Sequence, residues 1–367
     1  MQENIKLNRE QVIFLCLLGV VGNVVYIHTW IDDFTDRSAW VAAMLGVLAL
    51  IPLAIWLLFL GKFYPQQDLF TILEKGWGKL ISKTLGLIFI LINIAIAVAQ
   101  LNMFTAMINA FFLQFTPPRI IMFTMTVVCV ILISAGIQVF GRLTEVVAVL
   151  GVINFFLAFI FAFPGSVHPE YVFPIFDTSW PGFLKGTAFI AGATAEGLLA
   201  LMIIVRYIPD PGKHYGWVVK GMVMGGTIIT SAVLIIIAIM SPELAKRVAF
   251  GGVNAANLLQ VGGFIQGLEV FLFGSYQIIA LGKISLCMYC IWISLNNIIT
   301  TKWPLLQLAI IALMILVPSV WLTSYIKAYF LAVFMGTYVL LPYSILILLL
   351  ASASIVIQKI RAGSAVK

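Results

Sequence analysis

The segment from Phe183 to Pro209 places the strongest constraint on how this chain can fold. It is long and apolar enough to cross a lipid bilayer, because a membrane-spanning helix needs about 20 apolar residues. Its middle, however, reads Gly-Ala-Thr-Ala-Glu-Gly over residues 192–197. Glycine weakens a helix by about 1 kcal/mol relative to alanine, and an ionised side chain at the bilayer centre costs at least about 2.5 kcal/mol. The pattern therefore predicts a broken helix whose free backbone groups line a cavity.

The chain as a whole is poor in charged residues. Of its 367 residues, 62% are hydrophobic and only 10% are charged, whereas a soluble domain carries roughly 25% charged residues. Such a chain cannot cover itself with polar surface in water. We therefore predict an all-α polytopic membrane protein with about ten transmembrane helices, since each span and its loop use much of the available length.

The apolar runs set the approximate bounds of these spans. The ten predicted transmembrane helices cover residues 9–30, 39–63, 84–112, 120–139, 144–163, 183–209, 217–240, 261–293, 304–322 and 328–357. Between the second and third spans, residues 66–83 carry apolar side chains at helical spacing with charges between them, which predicts an interfacial amphipathic helix. The sequence shows no phosphate-binding loop, catalytic triad or metal-ligand pattern. We predict that the protein is not an enzyme and uses no metal or cofactor.

The basic residues predict how the chain is oriented in the membrane. With ten spans, 14 of the 21 Lys and Arg residues fall on the side of the N-terminus and six on the opposite side, with Lys283 inside the eighth span. Cytoplasmic loops carry the excess of Lys and Arg. Both termini are therefore predicted to be cytoplasmic.

Glycines interrupt two spans at corresponding positions. Gly19 and Gly22 lie in the middle of the first span, and Gly192 and Gly197 in the middle of the sixth. Two sets of five spans, each beginning with a broken helix, predict an inverted-repeat, LeuT-like transporter fold with its binding site between the breaks. The predicted division is residues 1–163 for the first five-helix repeat, 164–181 for an extracytoplasmic loop, 182–358 for the second, inverted repeat and 359–367 for a cytoplasmic tail.

Broken helices also indicate the kind of ligand. A zwitterion such as an amino acid suits them, because its carboxylate can meet a helix N-terminus and its ammonium can meet free carbonyls. In the third span, Ile96 and Gln100 could wall the cavity opposite the two breaks. A cavity near Gly22 and Ala193 would favour a small ligand, although sugars and nucleosides remain open.

Two ionisable residues are the main candidates for chemistry. Glu196 is predicted to be a proton acceptor, or a hydrogen-bonding partner of the ligand or the first helix; the alternative is a neutral carboxyl that caps the broken helix. Lys283, in the eighth span, could take the place of a bound sodium ion, which predicts sodium independence. The alternative interpretation is that the Lys283 side chain extends to the cytoplasmic interface of the membrane.

Several ordered segments resemble one family, the B subunits of endospore nutrient-germinant receptors, within the amino acid–polyamine–organocation transporter superfamily. The segments are Leu7-Asn8-Arg9-Glu10-Gln11, Trp40, residues 136–145, Phe183-Leu184-Lys185-Gly186 followed by Glu196-Gly197-Leu198-Leu199, and Lys283-Ile284-Ser285. Two places depart from the family pattern. Gln266-Gly267 stands where many members have a Glu-Arg pair, and His28-Thr29-Trp30 stands where a proline is common.

The resemblance implies a role, partners and a pocket. The role is sensing of a small nutrient, often an amino acid, in the inner membrane of a dormant spore. The partners are an A subunit with membrane and soluble parts and a lipoprotein C subunit. The implied ligand-binding residues, with Thr194 added from the same break, are Gly22, Asn23, Ile96, Gln100, Ala193, Thr194, Glu196, Lys283 and Cys287.

Two functions fit this pattern. The first is a ligand-binding receptor subunit on a transporter scaffold, whose two states are read by partner subunits. The alternative is a proton-coupled amino-acid permease with the same fold and pocket. A purely structural subunit is disfavoured, because a disused pocket has no reason to keep Glu196 at the depth of the bilayer.

Overall fold

The computed structural model describes residues 6–24, 27–162, 167–175, 178–258, 269–299 and 303–364. Within these ranges the regular structure is entirely helical. The helices are α1 Arg9–Val21, α2 Ile27–Thr35, α3 Ala39–Leu48, α4 Ile51–Phe63, α5 Leu69–Trp77, α6 Lys79–Phe111, α7 Pro118–Ser134, α8 Ile137–Ala162, α9 Trp180–Thr194, α10 Glu196–Ile204, α11 Tyr215–Met240, α12 Pro242–Ala245, α13 Gly251–Leu258, α14 Glu269–Ile298, α15 Pro304–Leu322, α16 Tyr325–Phe334 and α17 Leu341–Ser364.

Length and composition identify the helices that can cross a membrane. Seven stretches of the described residues qualify, and the bent pair formed by α7 and the first part of α8 gives an eighth if it counts as one span. The seven are Asp36–Phe63, Lys79–Phe111, Trp180–Tyr207, Tyr215–Met240, Tyr276–Ile298, Pro304–Leu322 and Tyr325–Arg361. The first predicted span is absent from this count because it is divided into α1 and α2, of 13 and 9 residues. The all-α membrane fold is confirmed.

The first break lies where the sequence predicts it, but Gly19 does not belong to it. Asn8 caps the start of α1 by accepting a hydrogen bond from the backbone N–H of Gln11 at 2.7 Å. The helix ends at Val21, and Gly22 is its C-cap. Gly19, predicted to be part of the break, is instead inside α1 and fully helical.

The second break is narrower than predicted. A single residue, Ala195, separates α9 from α10, and its N–H still donates to Ala191 O at 3.0 Å. The prediction that Gly192 and Gly197 break the helix is wrong, since Gly192 lies within α9 and Gly197 within α10. Their small size serves helix contact instead, because a Cβ on Gly192 would lie 1.8 Å from Gly336 O of the last span.

The last span is irregular at that same contact. Gly336 belongs to a short π-helical segment, Met335–Leu340, between α16 and α17. Segments of this kind insert an extra residue into a helix and are frequent at functional sites. The helix α17 continues through residues 359–364, which are part of the segment predicted as a cytoplasmic tail.

The turn between the fourth and fifth predicted spans lies earlier than expected. It falls at Ala135 and Gly136, and the helices on either side are bent by 119°. Gly136 has a φ of +88°, a conformation that favours glycine and commonly ends a helix. The predicted turn at residues 141–143 is instead inside α8, where a Cβ on Gly141 would lie 3.1 Å from the Gln11 side chain.

The two broken spans lie together in the core. The α1 helix packs against α11, α8, α10 and α14, and α14 packs along α6. The helix α10 is buried from Leu198 to Ile204. The segment predicted as one interfacial helix, residues 66–83, is divided: α5 ends before Gly78, whose φ is +88°, and residues 79–83 begin α6. The predicted eighth span begins at residue 269 in the described chain, and Gln266-Gly267 lies outside the described residues.

Candidate ligand site at the helix breaks

A buried lysine occupies the centre of the site. Lys283 in α14 is only 2% exposed and is among the largest fully buried side chains of the described chain. Its ammonium forms an ion pair with the Glu196 carboxylate and donates a hydrogen bond to Asn23 Oδ1. Glu196 is the first residue of α10, and Asn23 follows α1. One side chain thus connects both helix breaks to α14.

The break in the first span is held by amide side chains. The Asn23 Nδ2 donates to Ala193 O at 2.8 Å, so Asn23 joins the first break to the end of α9. The Gln100 Nε2 of α6 donates to Gly22 O at 3.1 Å. The C-terminal carbonyls of a helix have no partner within it, and these bonds supply partners from neighbouring helices.

Gly22 is the residue against which the lysine stem lies. A Cβ on Gly22 would be 2.1 Å from Lys283 Cδ and 2.9 Å from Cε. No other amino acid fits there without moving Lys283. The alternative in which Lys283 extends to the membrane interface is therefore wrong, because the side chain is directed into the protein core.

A small cavity adjoins this cluster. Its volume is ≈ 10 Å³, which is about what one water molecule needs. It is lined by Gly19, Asn93, Ile96, Glu196, Ala200, Lys283, Leu286, Cys287 and Cys290. Among the described residues, the Lys283 side chain therefore fills the space beside Gly22 and leaves only this small cavity.

The structure brings most predicted residues together in two groups. Of the predicted residues, Ile96, Glu196, Lys283 and Cys287 line the cavity, while Gly22, Asn23, Gln100 and Ala193 form the hydrogen-bonded rim beside it. Thr194 does not line the cavity, and its hydroxyl donates to Ile190 O at 2.6 Å within α9. Its ligand contact stays a prediction.

Sequence reasoning missed part of the cavity wall. Leu286 and Cys290 follow Lys283 by three and seven residues and thus share its helix face, a signal that the sequence contained. Asn93 precedes Ile96 by three residues on α6 and donates to Phe89 O at 2.9 Å. Within the described ranges, no group of three or more His, Cys, Asp or Glu side chains could hold a metal ion.

A second polar cluster lies at the opposite end of α10, and the sequence did not indicate it. Asp68 is 1% exposed and caps α5 by accepting from the N–H of Thr71 at 2.9 Å. Its other oxygen accepts from Arg206 Nη1 at 3.3 Å and Asn297 Nδ2 at 2.9 Å. Arg206 lies two residues after α10, and Asn297 is near the end of α14. Both ends of α10 are therefore connected to α14, through Lys283 in its middle and Asn297 near its end.

The start of the chain joins this cluster through one residue. The backbone N–H of Leu7 donates to Tyr207 O at 2.9 Å, and the hydroxyl of Tyr289 in α14 donates to the Tyr207 hydroxyl at 2.8 Å. The beginning of the first span, the end of α10 and the second half of α14 are therefore tied together at this end.

Comparison with known proteins gives a family and a fold. A family model described as spore germination protein matches residues 6–327. Spore germination protein XB of Bacillus anthracis is 24% identical over 296 residues, which cover 76% of this chain and 78% of that protein. Spore germination protein KB of Bacillus subtilis (strain 168) is 22% identical over 311 residues, covering 82% and 81% of the two chains.

Solved transporter structures share the fold. MhsT, solved in complex with L-phenylalanine, matches with a TM-score of 0.65 at 14% identity, over 94% of this chain and 88% of its own. The manganese transporter of Eremococcus coleocola, solved with an aromatic bis-isothiourea compound, gives a TM-score of 0.68 at 15% identity, over 93% and 78%. At this low sequence identity, the similarity shows the fold alone. The predicted LeuT-like architecture is confirmed.

Proposed function

The chain belongs to the family of spore germination proteins, and from this premise we propose that it is the integral-membrane, ligand-binding subunit of a spore germinant receptor. It would sense a small nutrient in the pocket between the two helix breaks and signal germination to partner subunits. The proposed partners are an A subunit with membrane and soluble parts and a lipoprotein C subunit. The proposed location is the spore inner membrane, with both termini on the cytoplasmic side.

The observation that carries this proposal is the buried cluster of Glu196, Lys283 and Asn23 at the meeting point of the two breaks. Replacing a buried ion pair with well-packed apolar residues is often neutral or stabilising. A subunit with only a structural role would gain nothing from such a cluster. We take the cluster to be the place where a ligand is recognised.

An amino acid is the ligand class that we propose. Its two charges suit the helix breaks, where helix ends adjoin the buried charges of Glu196 and Lys283, and MhsT, a neighbour in fold, was solved with L-phenylalanine. The predicted pocket residues, Thr194 included, remain part of the proposal. The repeat boundaries at residues 163 and 182 are retained in it as well.

Lys283 supports a further part of the proposal, that ligand binding is independent of sodium. Its ammonium supplies a fixed positive charge between the first break, Glu196 and α14. A dissolved cation at this position would meet like-charge repulsion and find its oxygen ligands already engaged. Replacing sodium with choline in the buffer should leave ligand binding unchanged.

The signal would travel through α10. A ligand biases two states only through its different affinities for them, so the signal requires an element whose position depends on the site. The helix α10 carries Glu196 at one end and is followed by Arg206, the partner of Asp68, at the other. Movement of Glu196 would therefore be passed to the Asp68 cluster and to α5.

The alternative is a proton-coupled amino-acid permease, which Glu196 favours as a buried group able to exchange a proton. Uptake separates the two functions. The full chain in proteoliposomes would be given labelled amino acids with and without a proton gradient. Gradient-dependent accumulation would contradict the receptor proposal, whereas saturable binding without accumulation would support it.

The receptor role has its own test in spores. A spore-forming host that lacks its own germinant receptors would express this chain with its A and C partners. We expect nutrient-triggered germination that requires all three chains. Germination that proceeds equally without this chain would refute the proposed role.

A further inference from the structure

The space beside the first break already holds a ligand-like group. The Lys283 stem lies against the backbone of Gly22, and its ammonium reaches both Glu196 and Asn23. The cavity left beside it has a volume of ≈ 10 Å³, too small for any nutrient. Resting on the function proposed above, we propose that Lys283 is a built-in occupant of the ligand site, which a zwitterionic ligand displaces by exchanging one internal ion pair for two external ones.

The need for exchange follows from the burial of both charges. Lys283 is 2% exposed and the Glu196 side chain 13%, so neither can turn to bulk water when the other leaves. Breaking a buried pair leaves an uncompensated charge, which is strongly unfavourable. A ligand that separates Lys283 from Glu196 must therefore supply a partner for each of them.

A free amino acid meets both requirements. Its ammonium would take the place of the Lys283 ammonium at Glu196 and Asn23 Oδ1, and its carboxylate would pair with the displaced Lys283. The net charge of the site is zero before and after, and no proton has to move. One buried pair becomes two, so the resting contact is replaced without leaving a charge alone.

Other ligand classes fail this test in different ways. A neutral sugar or nucleoside supplies no charge, so it would leave both Glu196 and Lys283 unpaired. An amino-acid amide would pair with Glu196 but leave Lys283 without a partner. An N-acetyl amino acid would pair with Lys283 but leave Glu196 without one. A site whose buried polar groups pair with the ligand discriminates by large factors against an analogue that lacks one of the matching groups.

The space that the exchange requires is provided by the lysine itself. Gly22 has no side chain, and the volume in front of it is filled by the Lys283 stem. Withdrawal of that stem would join its volume to the existing cavity beside Ile96 and Cys287. We expect the combined space to favour a small amino acid, because Gly22 adds no side chain to it.

The experiment measures thermal stabilisation of the purified full chain in lipid nanodiscs by four pools of compounds. The pools are the common amino acids, the same amino acids as C-terminal amides, the same as N-acetyl derivatives, and a set of neutral sugars and nucleosides. We expect the free amino acids to raise the melting temperature and the sugars and nucleosides to leave it unchanged. The amides and N-acetyl derivatives should need roughly 100-fold higher concentrations or more for the same shift.

Variants connect this selectivity to the two residues. Lys283→Met and Glu196→Gln should each abolish the shift with free amino acids. Lys83→Met is the matched control, because Lys83 donates to Ile298 O at 3.0 Å near the end of α14 and is remote from the breaks. If a single variant fails to fold, the double variant Glu196→Gln/Lys283→Met leaves no charge unpaired and should fold but not respond.

Three results would overturn the exchange: an equal shift with amides or N-acetyl derivatives, a shift with the sugar and nucleoside pool, or no shift with free amino acids. The receptor proposal fails separately. If free amino acids stabilise the protein selectively but spores germinate without this chain, the exchange stands and the receptor role does not. If germination requires this chain but sugars alone trigger it, the receptor role stands and the exchange does not.

Discussion

Gly19 and Gly197 bring the two broken spans into backbone contact, since a Cβ on Gly19 would lie 2.8 Å from Gly197 Cα. Close approach of this kind is typical of small residues between membrane helices, where packing rather than burial from water drives association. The contact lies one helical turn before Gly22 and one residue after Glu196. The glycines therefore set how closely the two halves of the site can approach.

Gly19→Ala should destabilise the protein by about 1–3 kcal/mol, because the added methyl group meets backbone that must shift. The melting temperature of the purified chain in detergent would measure this. Gly216→Ala is the matched control, since Gly216 is an α11 glycine whose Cβ would meet nothing within 4 Å. Alanine at such an open position should be neutral or stabilising by about 0.4–1 kcal/mol. Equal effects of the two changes would contradict the role given to Gly19.

Gly22→Ala should affect ligand binding more than folding. Its methyl group would meet the flexible stem of Lys283 rather than backbone, so the stem can move aside at the expense of the contacts to Asn23 and Glu196. We expect a modest fall in melting temperature and a large loss of ligand-induced stabilisation. Full ligand response in this variant would show that Lys283 does not fill the site as described.

The Glu196–Lys283 pair should show strong coupling in a double-mutant cycle. Glu196→Gln and Lys283→Met each leave one buried charge without its partner, at about 3–5 kcal/mol. The double variant should be destabilised by far less than the sum of the two, because it carries neither charge. Chemical denaturation or thermal melting of all four proteins gives the coupling energy. Additive effects would mean that the two charges do not stabilise each other.

Asp68→Asn should weaken the connection between α5, α10 and α14. Asparagine can still cap α5, but it removes the charge that faces Arg206 and Asn297. We expect a loss of about 1.5–3 kcal/mol, the range for hydrogen bonds to charged groups. Asp210→Asn is the control, because Asp210 pairs with Lys213 at 3.9 Å in an exposed position and should change stability by no more than about 0.5 kcal/mol.

The Asp68 variant also tests the proposed signal route. If α10 carries the signal, Asp68→Asn should retain ligand-induced stabilisation of the purified chain but reduce germination in the receptor-deficient host. Asp210→Asn should change neither measurement. A normal germination response of the Asp68 variant at normal expression would argue against α10 as the connecting element.

The amino-acid sequence by itself determined the membrane class, the extent of most spans and the approximate place of the two breaks. The span 304–322 agrees with α15 at both ends, because a long apolar run between polar residues has few alternatives in a bilayer. Gly22 and the region of Glu196 were also identifiable, since glycine and a carboxylate in such a run conflict with a regular helix.

Tertiary structure alone decided what those residues do. Gly19, Gly192 and Gly197 looked like helix breaks, yet they are helical and small because neighbouring backbones approach them. The direction of the Lys283 side chain and the role of Asp68 depend on partners more than 80 residues away in sequence. The propensity to form or break a helix depends on neighbouring residues in the sequence. Close contact, burial and charge pairing arise only when distant segments meet.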